Sequence, residues 1–423
     1  MAVLASDSTV LASSSSVLAS GYDGGFIMAL ASGTRVQLIY AAETTRGVIP
    51  SPMSSTIFRA TSRNINPQIN LLRSNEVRAD RQRTTSRHGF NQIVGSPGFE
   101  LSLEAYDDWL EAAMSGTWAT APDTTAAQTI DQTTITPSDE AVFVWSAGDY
   151  IAAGFRVGMT VETTGYAGAS NNKVATVIEV ASATSMKLKS NDGTNFGALE
   201  GGDGDERIQA TGEVIDIGQV LRTFWIERGF LDVAQYQGFL GCAINQMNIQ
   251  IQPEQMVGGS FDVLGMSASG MLPVSLGGTP TAAAANDPFS AFDGAVYEAD
   301  GESSVVTGLN FTLNNNRSLN AVVGSKFSPD VFEGTAEIGG ELTVYFEDAT
   351  LYNKFFLETV SSLAVRVDDI NGTDFMVFGF PSIKYSGADM DPPQQGPVPI
   401  TMPFEAQVDS VSGTSMWIQK SNV

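Results

Sequence analysis

The residue types that could carry catalysis or bind a metal are scarce in this chain. It has one histidine, His88, and one cysteine, Cys242. A zinc site needs a cluster of ligands and a disulfide needs two cysteines, so the sequence predicts neither. His88 has no nucleophile or carboxylate at a spacing that identifies a partner, and Cys242 lies in an apolar run typical of a core residue. We therefore predict no catalytic residue, no metal site and no cofactor.

One acidic, glycine-rich segment is a further candidate for ion binding. Gly201-Gly-Asp-Gly-Asp-Glu206 is an imperfect relative of a calcium-binding glycine repeat. A single copy lacks the stacked neighbours of a repeat array, so the segment is more typical of an exposed turn.

Composition and charge exclude further classes of function. The chain has 423 residues, 43% of them apolar, which is enough for two or three folded domains. Its 47 acidic and 22 basic residues give a net charge of −25. That charge argues against a protein that wraps nucleic acid or lies on anionic lipid, because both partners are negative. No apolar run reaches the ~18 residues of a membrane helix, so we predict no membrane span.

The apolar pattern predicts a mainly β protein with two helices. The runs 99–104, 247–252 and 341–346 alternate apolar and polar residues, as a half-buried strand does. Helical spacing of apolar residues occurs at 106–114 and again at 352–360.

These elements repeat along the chain. Glu100-Leu-Ser-Leu before the first helix matches Glu341-Leu-Thr-Val before the second, 241 positions later, and the two helical patterns lie 246 apart. Ile244 matches Ile383 at a separation of only 139. The drop of about 100 predicts an insertion in the first copy, after its helix.

The repeat and the insertion predict the domain organisation. Each copy is one β-unit with a flanking helix, and the Thr/Gly-rich insertion has short strands of its own. The apolar, Ser-rich N-terminus contains no basic residue before Arg35, so it does not resemble a secretory signal, and we expect a flexible arm. The predicted parts are the arm (1–30), the first unit (31–118 and 213–275), the insert (119–212), a linker (276–286) and the second unit (287–423).

An ordered set of short motifs resembles a known family. The motifs are Ala42-Glu-Thr-Thr, Arg78-Ala-Asp-Arg-Gln82, Glu104-Ala-Tyr-Asp-Asp-Trp-Leu-Glu-Ala-Ala113, Phe230-Leu-Asp-Val-Ala-Gln-Tyr236, Tyr345-Phe-Glu-Asp-Ala349 and Asn353-Lys-Phe355, with Gly154-Phe-Arg-Val-Gly158 in the insert. In this order they resemble the major tail tube proteins of long-tailed, non-contractile (siphovirus-type) bacteriophages.

The resemblance implies a structural virion protein without enzymatic activity. Each tube-type β-sandwich unit would have two packed sheets and one helix, and six units would form a ring that stacks into a hollow tube. With two units per chain, three chains would close a ring with pseudo-six-fold symmetry. The alternative is a homohexamer in which one copy lines the lumen and the other decorates the exterior. The implied partners are the chain itself, other tail proteins at the tube ends, a tape-measure protein inside, and DNA as transient cargo. Assembly would take place in the host cytoplasm.

We expect the polar faces of alternating strands to line the lumen; an ordinary solvent-facing sheet surface is the alternative. The candidates are Glu100, Ser102, Asn248, Gln250, Gln252, Asp262, Glu341, Thr343, Glu405 and Gln407.

Arginines cluster in one region of an otherwise acidic chain. Nine of the 22 basic residues lie at 35–87, against three acidic residues. Guanidinium groups pair well with carboxylates, so we expect these arginines to contact the next subunit or ring. A solvated loop and a nucleic-acid patch are alternatives. The contact candidates are Arg73, Arg78, Arg81, Arg83 and Arg87.

Two other functions fit the sequence less well. A minor tail, fibre or capsid-decoration protein of a phage would suit the small insert. A carbohydrate-binding or carbohydrate-active β-sandwich would suit the many acidic residues, although no spacing places two carboxylates together.

Overall fold

The computed structural model describes residues 30–125, 128–298, 301–303 and 306–421. The predicted N-terminal arm therefore lies outside the described residues, apart from Leu30. The predicted fold class is confirmed: the chain is mainly β, with two β-sandwich units that each carry one helix, and a small inserted β-domain.

The first unit is formed by two stretches of chain that flank the insert. Its first stretch has a short 3-10 helix (Gly33–Arg35), β1 (Val36–Ala42), β2 (Thr56–Ile57), β3 (Ile65–Arg73), β4 (Ser86–Gly95), β5 (Gly98–Glu100), α1 (Asp107–Met114) and β6 (Ala119–Thr120). The insert has β7 (Asp131–Ile135), β8 (Glu140–Val144), α2 (Tyr150–Ala153), β9 (Thr160–Thr164), a 3-10 helix (Ala169–Asn171), β10 (Val174–Ser182), β11 (Ser185–Ser190) and β12 (Arg207–Ala210). The chain then returns with β13 (Glu213–Asp216), β14 (Phe224–Phe230), β15 (Gln235–Ile251), β16 (Gly258–Gly265) and β17 (Ser267–Ala268).

The second unit is continuous. It has β18 (Gly294–Glu298), β19 (Gly301–Ser303), β20 (Val306–Asn314), β21 (Ser318–Leu319), β22 (Val331–Phe332), β23 (Glu337–Tyr345), α3 (Thr350–Phe356), β24 (Ser361–Asp368), β25 (Phe375–Tyr385), β26 (Asp389–Met390), β27 (Pro399–Ala406) and β28 (Trp417–Lys420).

The same strand order occurs in both units. The first is paired in the order β1, β14, β15, β16, β4 with β5, and β3. The second is paired in the order β18, β24, β25, β27, β23 and β20. In each unit the helix follows the strand next to the last strand of this order: α1 follows β5, and α3 follows β23. The repeated sequence pattern therefore corresponds to a repeated topology.

Bulges fix which residues of the two units are equivalent. One bulge interrupts β14–β15 at Cys242, and a matching bulge interrupts β24–β25 at Ile383. A second bulge follows Ile244 in β15, and the same one-residue offset separates Tyr385, at the end of β25, from Asp389 in β26. Ile244 is thus equivalent to Tyr385. The sequence match of Ile244 with Ile383 was wrong by two residues, a shift that keeps the side-chain face because strands have period two.

The units differ in how deeply they bury their helices. In α1, Trp109 and Leu110 are fully buried, and Trp109 stacks on Phe224 with ring centroids 5.5 Å apart. None of the residues of α3 is buried, and Phe356 is 72% exposed. Both helices are shorter than the patterns predicted, and α3 ends four residues before Val360.

The insert forms a separate sheet that packs on the second unit. Its six strands follow the order β12, β9, β10, β11, β8, β7. In β25, Met376 and Phe378 face the core of the sandwich, whereas Phe375 and Val377 face the insert. The docking is close: a Cβ at Gly158 of the insert would lie 2.2 Å from the Cβ of Ala364. The insert therefore covers the side of β24–β25 that points away from the sandwich core.

Candidate functional site

The candidate functional site is one face of a sheet to which both units contribute. The sheet is joined where β15 of the first unit pairs antiparallel with β20 of the second, from Gln246 opposite Asn314 to Ile251 opposite Leu309. The complete order is β3, β4 with β5, β16, β15, β20, β23, β27 and β26. We call this the polar-faced sheet. Each unit supplies four of its eight strand positions.

Alternation divides the side chains of the polar-faced sheet into two sets. Met247, Phe261, Phe311 and Phe404 on one face are at most 1% exposed and belong to one core that spans both units. The opposite face carries amide, hydroxyl and carboxylate side chains. Its carboxylates are Glu100, Asp262, Glu337, Glu341, Asp389 and Glu405, and Lys384 lies opposite Glu405.

Hydrogen bonds link the polar side chains across strands. The Oδ1 atom of Asn248 accepts hydrogen bonds from Thr312 Oγ1 at 2.6 Å and from Gln246 Nε2 at 3.0 Å. On the other side of Asn248, its Nδ2 atom donates to Ser260 Oγ at 3.4 Å. Asn248 thus bridges β16 of the first unit and β20 of the second. Ser96 Oγ donates a hydrogen bond to Asp262 in the same manner.

Most of the residues expected to line a lumen share this face. Glu100, Asn248, Gln250, Asp262, Glu341, Thr343 and Glu405 lie on paired strands of it. Gln252 and Gln407 are exposed just beyond the ends of β15 and β27. Ser102 lies apart from them, because the chain turns after β5: it is 1% exposed and accepts a hydrogen bond from Arg59 Nη1 at 3.0 Å. We therefore omit Ser102 from the candidate set.

Sequence reasoning missed two strands of this face. Asn310, Thr312 and Asn314 on β20 and the even-numbered positions 64–68 next to and within β3 point the same way as Asn248. The alternation of residues 309–314 was a visible signal for the first of these strands. The second was obscured by Pro67, which is unusual inside a strand but is tolerated at a sheet edge.

A buried arginine of the second unit donates hydrogen bonds to the first unit at the junction between them. Arg317, just after β20, is 6% exposed, and its Nη2 atom donates to the carbonyl of Ala112 at 3.3 Å and to Ser115 Oγ at 2.6 Å. Its Nη1 atom donates to the carbonyl of Ile244. Asn315 Nδ2 donates to the carbonyl of Ala113 at 2.9 Å. The second unit thereby supplies donors to the C-terminal carbonyls of α1, which a helix cannot satisfy by itself.

Burial changes the acidity of this guanidinium. Burial lowers the pKa of Arg317 to about 10, and the nearby carboxylate of Glu333 offsets part of this decrease. The side chain is still cationic at neutral pH, so its hydrogen bonds to the carbonyls are charge-assisted.

The arginine candidates lie on the hairpin β3–β4 and its exposed connecting loop. Arg73, Arg78, Arg81, Arg83 and Arg87 are all exposed. Arg78 Nη2 lies 2.8 Å from Asp80 Oδ2, and this contact lowers the pKa of Asp80.

The described part of the chain offers neither a metal cluster nor a membrane-spanning helix. Within it, no group of three His, Cys, Asp or Glu side chains is placed to hold a metal ion. Glu206 is 2% exposed and accepts backbone hydrogen bonds within its own loop, from Asp203 at 2.8 Å. No described helix has the length and apolar character needed to cross a membrane.

Comparison with known proteins identifies the family. The chain belongs to the phage tail tube protein family, whose model matches residues 33–408, most of the chain. A search of curated proteins gave no match. Membership makes the protein a structural component of the bacteriophage tail tube, and so of the virion, and implies a non-enzymatic role. The resemblance to a major tail tube protein that the sequence motifs indicated is thus confirmed.

Arg317 provides a test of the junction. Replacing Arg317 with Met removes the side-chain donor to the carbonyl of Ala112 and one of the two side-chain donors to the carbonyl of Ile244, so we expect a loss of about 2–3 kcal/mol in the free energy of unfolding. Arg46→Ala is the control, because the Arg46–Asp330 ion pair is exposed and should contribute only about 0–1 kcal/mol. Urea denaturation of both variants measures the difference. Equal stabilities would contradict a sealing role for Arg317.

Proposed function

We propose that three chains close one ring of the tail tube, with the polar-faced sheets joined into a barrel whose polar face lines the channel. The observation that supports this arrangement is the single sheet formed by both units. Four strand positions from each unit continue one another, and their polar side chains point to the same side. Each unit is therefore equipped to form one sixth of a lumen wall.

The dimensions of such a barrel suit the passage of DNA. Three chains would contribute about 24 strands, and at the usual strand spacing and tilt the barrel would be about 45 Å across between facing backbones. After side chains are added, the bore still accommodates a double helix. Barrels of 16–18 strands already leave an aqueous channel.

The homohexamer with one lining unit and one decorating unit is less consistent with the fold. It would remove half of the polar-faced sheet from the channel wall, although β15 and β20 are directly hydrogen-bonded. In such a ring the sheet would have to turn away from the lumen at a junction that is paired over six residues.

The lining chemistry favours sliding over binding. The proposed wall carries six carboxylates per chain and the cation Lys384, which lies opposite Glu405, so it offers phosphates little attraction and DNA would release few counterions by adhering to it. DNA would then be transient cargo. A tape-measure protein inside the tube and other tail proteins at its ends are the further partners that we propose, with assembly in the host cytoplasm.

We further propose the domain division inferred from the sequence, with the insert (119–212) on the outside of the tube, except that its first two residues form β6 and pair with β13 of the first unit. Two contacts support an exterior position. The insert covers the face of β24–β25 opposite the sandwich core, and Gln419 of β28 donates to the carbonyls of Thr160 at 2.8 Å and Thr211 at 2.7 Å. The polar-faced sheet lies on the other side of that core.

The number of chains per ring decides between the two arrangements. We expect native mass spectrometry of isolated rings to give three times the 44.8 kDa chain mass, and electron microscopy to show six similar lobes around a pore. A ring of six chains would contradict the proposal in favour of the hexamer. Persistent monomers at high concentration would contradict a self-assembling tube altogether.

The charge of the lining can be tested by reversal. Glu341→Lys with Glu405→Lys would place cations on the proposed wall, where they attract phosphate, so genome ejection should slow and become sensitive to salt. Asp203→Lys with Asp205→Lys in the insert is the matched control, with the same change in net charge. Ejection rates in vitro, measured by DNA release, should be normal for the control. Equal rates for both variants would exclude a lining role for these residues.

We propose that the exposed arginines of the β3–β4 hairpin contact carboxylates of the next subunit or ring. Arg78→Ala with Arg81→Ala should then impair tube polymerisation, because charge-assisted contacts are lost, while the soluble chain stays folded. Tube yield by electron microscopy and folding by circular dichroism measure the two effects. Tubes of normal yield and length would refute the contact.

A further inference from the structure

The polar-faced sheet ends in two open edges. Among the described strands, β3 at one end pairs only with β4, and β26 at the other end pairs only with β27. The two edges lie about seven strand spacings apart, or roughly 30 Å, so they cannot meet within one chain. Open edges expose unpaired N–H and C=O groups, which are templates for pairing with another strand.

The two edge strands are structurally equivalent to the two strands that pair with each other within the chain, β20 and β15. Ile65 of β3 lies opposite Gly95, which lies opposite Val263; Phe311 of β20 lies opposite Gly340, which lies opposite Phe404. Thus β3 occupies the place of β20. The equivalence of Ile244 and Tyr385 given above likewise makes β25 and β26 together the equivalent of β15.

We propose that β3 of one chain pairs antiparallel with residues 386–391 of the next chain, in the register of the β15–β20 junction. This inference rests on the proposed ring and specifies its closing contact. Since Thr312 lies opposite Asn248 in the chain, the equivalent residue Asn66 lies opposite Asp389 of the neighbouring copy. The occupant of each open edge is therefore a second copy of this chain.

The exposure of both edges agrees with this pairing. Asn66 and Asp389 are exposed, and Met390 is 42% exposed. Pro67 lacks an N–H group, so this pairing has one backbone donor fewer than the junction within the chain.

Apolar surface next to the two edges is complementary. Within the chain, Arg317 covers the end of α1. In the second unit, the end of α3 is open, with Phe356 72% and Leu357 70% exposed. The residue that corresponds to Arg317 by position along β3 is Leu71, and Leu71 and Leu72 are 48% and 61% exposed. In the proposed contact these leucines cover the end of α3, and an apolar contact replaces the polar one.

Disulfide trapping tests the register directly. Asn66→Cys with Asp389→Cys should form disulfides only between chains, because the two positions are roughly 30 Å apart in one chain and a disulfide needs Cα atoms within about 7 Å. Asn248→Cys with Thr312→Cys is the matched control, which should close within each chain. Asn66→Cys with Glu341→Cys, in mid-sheet, should not close.

The native cysteine does not interfere with this experiment. Cys242 is fully buried, and burial raises the pKa of its thiol, so it does not compete with the introduced cysteines for disulfide formation.

The variants are assembled under reducing conditions, checked by electron microscopy, oxidised and separated without reductant. We expect a ladder for Asn66→Cys with Asp389→Cys that ends at three chains. If rings form and the control closes, but this pair and the neighbouring pair Asn64→Cys with Asp391→Cys give no interchain disulfide, the edge pairing is wrong and the tube function stands. If the parent chain forms no rings, both proposals fail.

The apolar contact has a separate test. Phe356→Ser and Leu71→Ser should leave the thermal unfolding of the isolated chain unchanged, because both side chains are exposed, and should raise the concentration needed for ring formation about tenfold or more. Phe292→Ser is the control, with a phenylalanine that is 70% exposed away from both edges. Normal assembly of Phe356→Ser and Leu71→Ser would overturn the packing of the hairpin on α3.

Discussion

Backbone hydrogen bonding at strand edges is the constraint on which this structure depends. Backbone N–H and C=O groups at a sheet edge cost free energy when they bind neither water nor another strand. Within the chain, one edge strand of each unit satisfies these groups by pairing with the other, β15 with β20. That pairing aligns the polar faces of the two units, merges their apolar faces into one core and brings Arg317 onto the end of α1. The sheet face proposed to line the channel, the shared core and the sealed helix all follow from one edge-to-edge contact.

Much of the fold was accessible from the sequence because its signals are periodic. Alternation identified the strands around Asn248 and Glu341, and the repeated helical pattern revealed the two units and the insertion. Residue equivalence was less accessible, because each bulge adds one residue to the strand and reverses which alternate positions face the core. Phe239 and Cys242 are three residues apart in β15, yet both side chains lie in the same core. The alignment of Ile244 therefore failed while the face of its neighbours was predicted correctly.

The candidate site could be predicted only in part. Side chains that alternate with core residues were found, but Arg317 was not, since its partners are two carbonyl groups and the Ser115 hydroxyl, all more than 70 residues away in sequence. Ser102 continued an alternating pattern, yet the chain turns at Glu104, where φ is +60°, and buries the serine beneath Arg59. Local pattern reports which side of a strand a residue occupies, whereas turns and long-range contacts decide where the strand ends.

The insert also affects how the two units move. It emerges from the first unit, between β6 and β13, but its core includes Tyr297, Val377 and Trp417 of the second. The insert thus provides a packing contact between the units in addition to the β15–β20 pairing. A hinge needs a single axis about which two bodies can rotate, and an attachment on the opposite side removes that freedom. The packing of the insert against residues of both units therefore opposes a hinge motion between them.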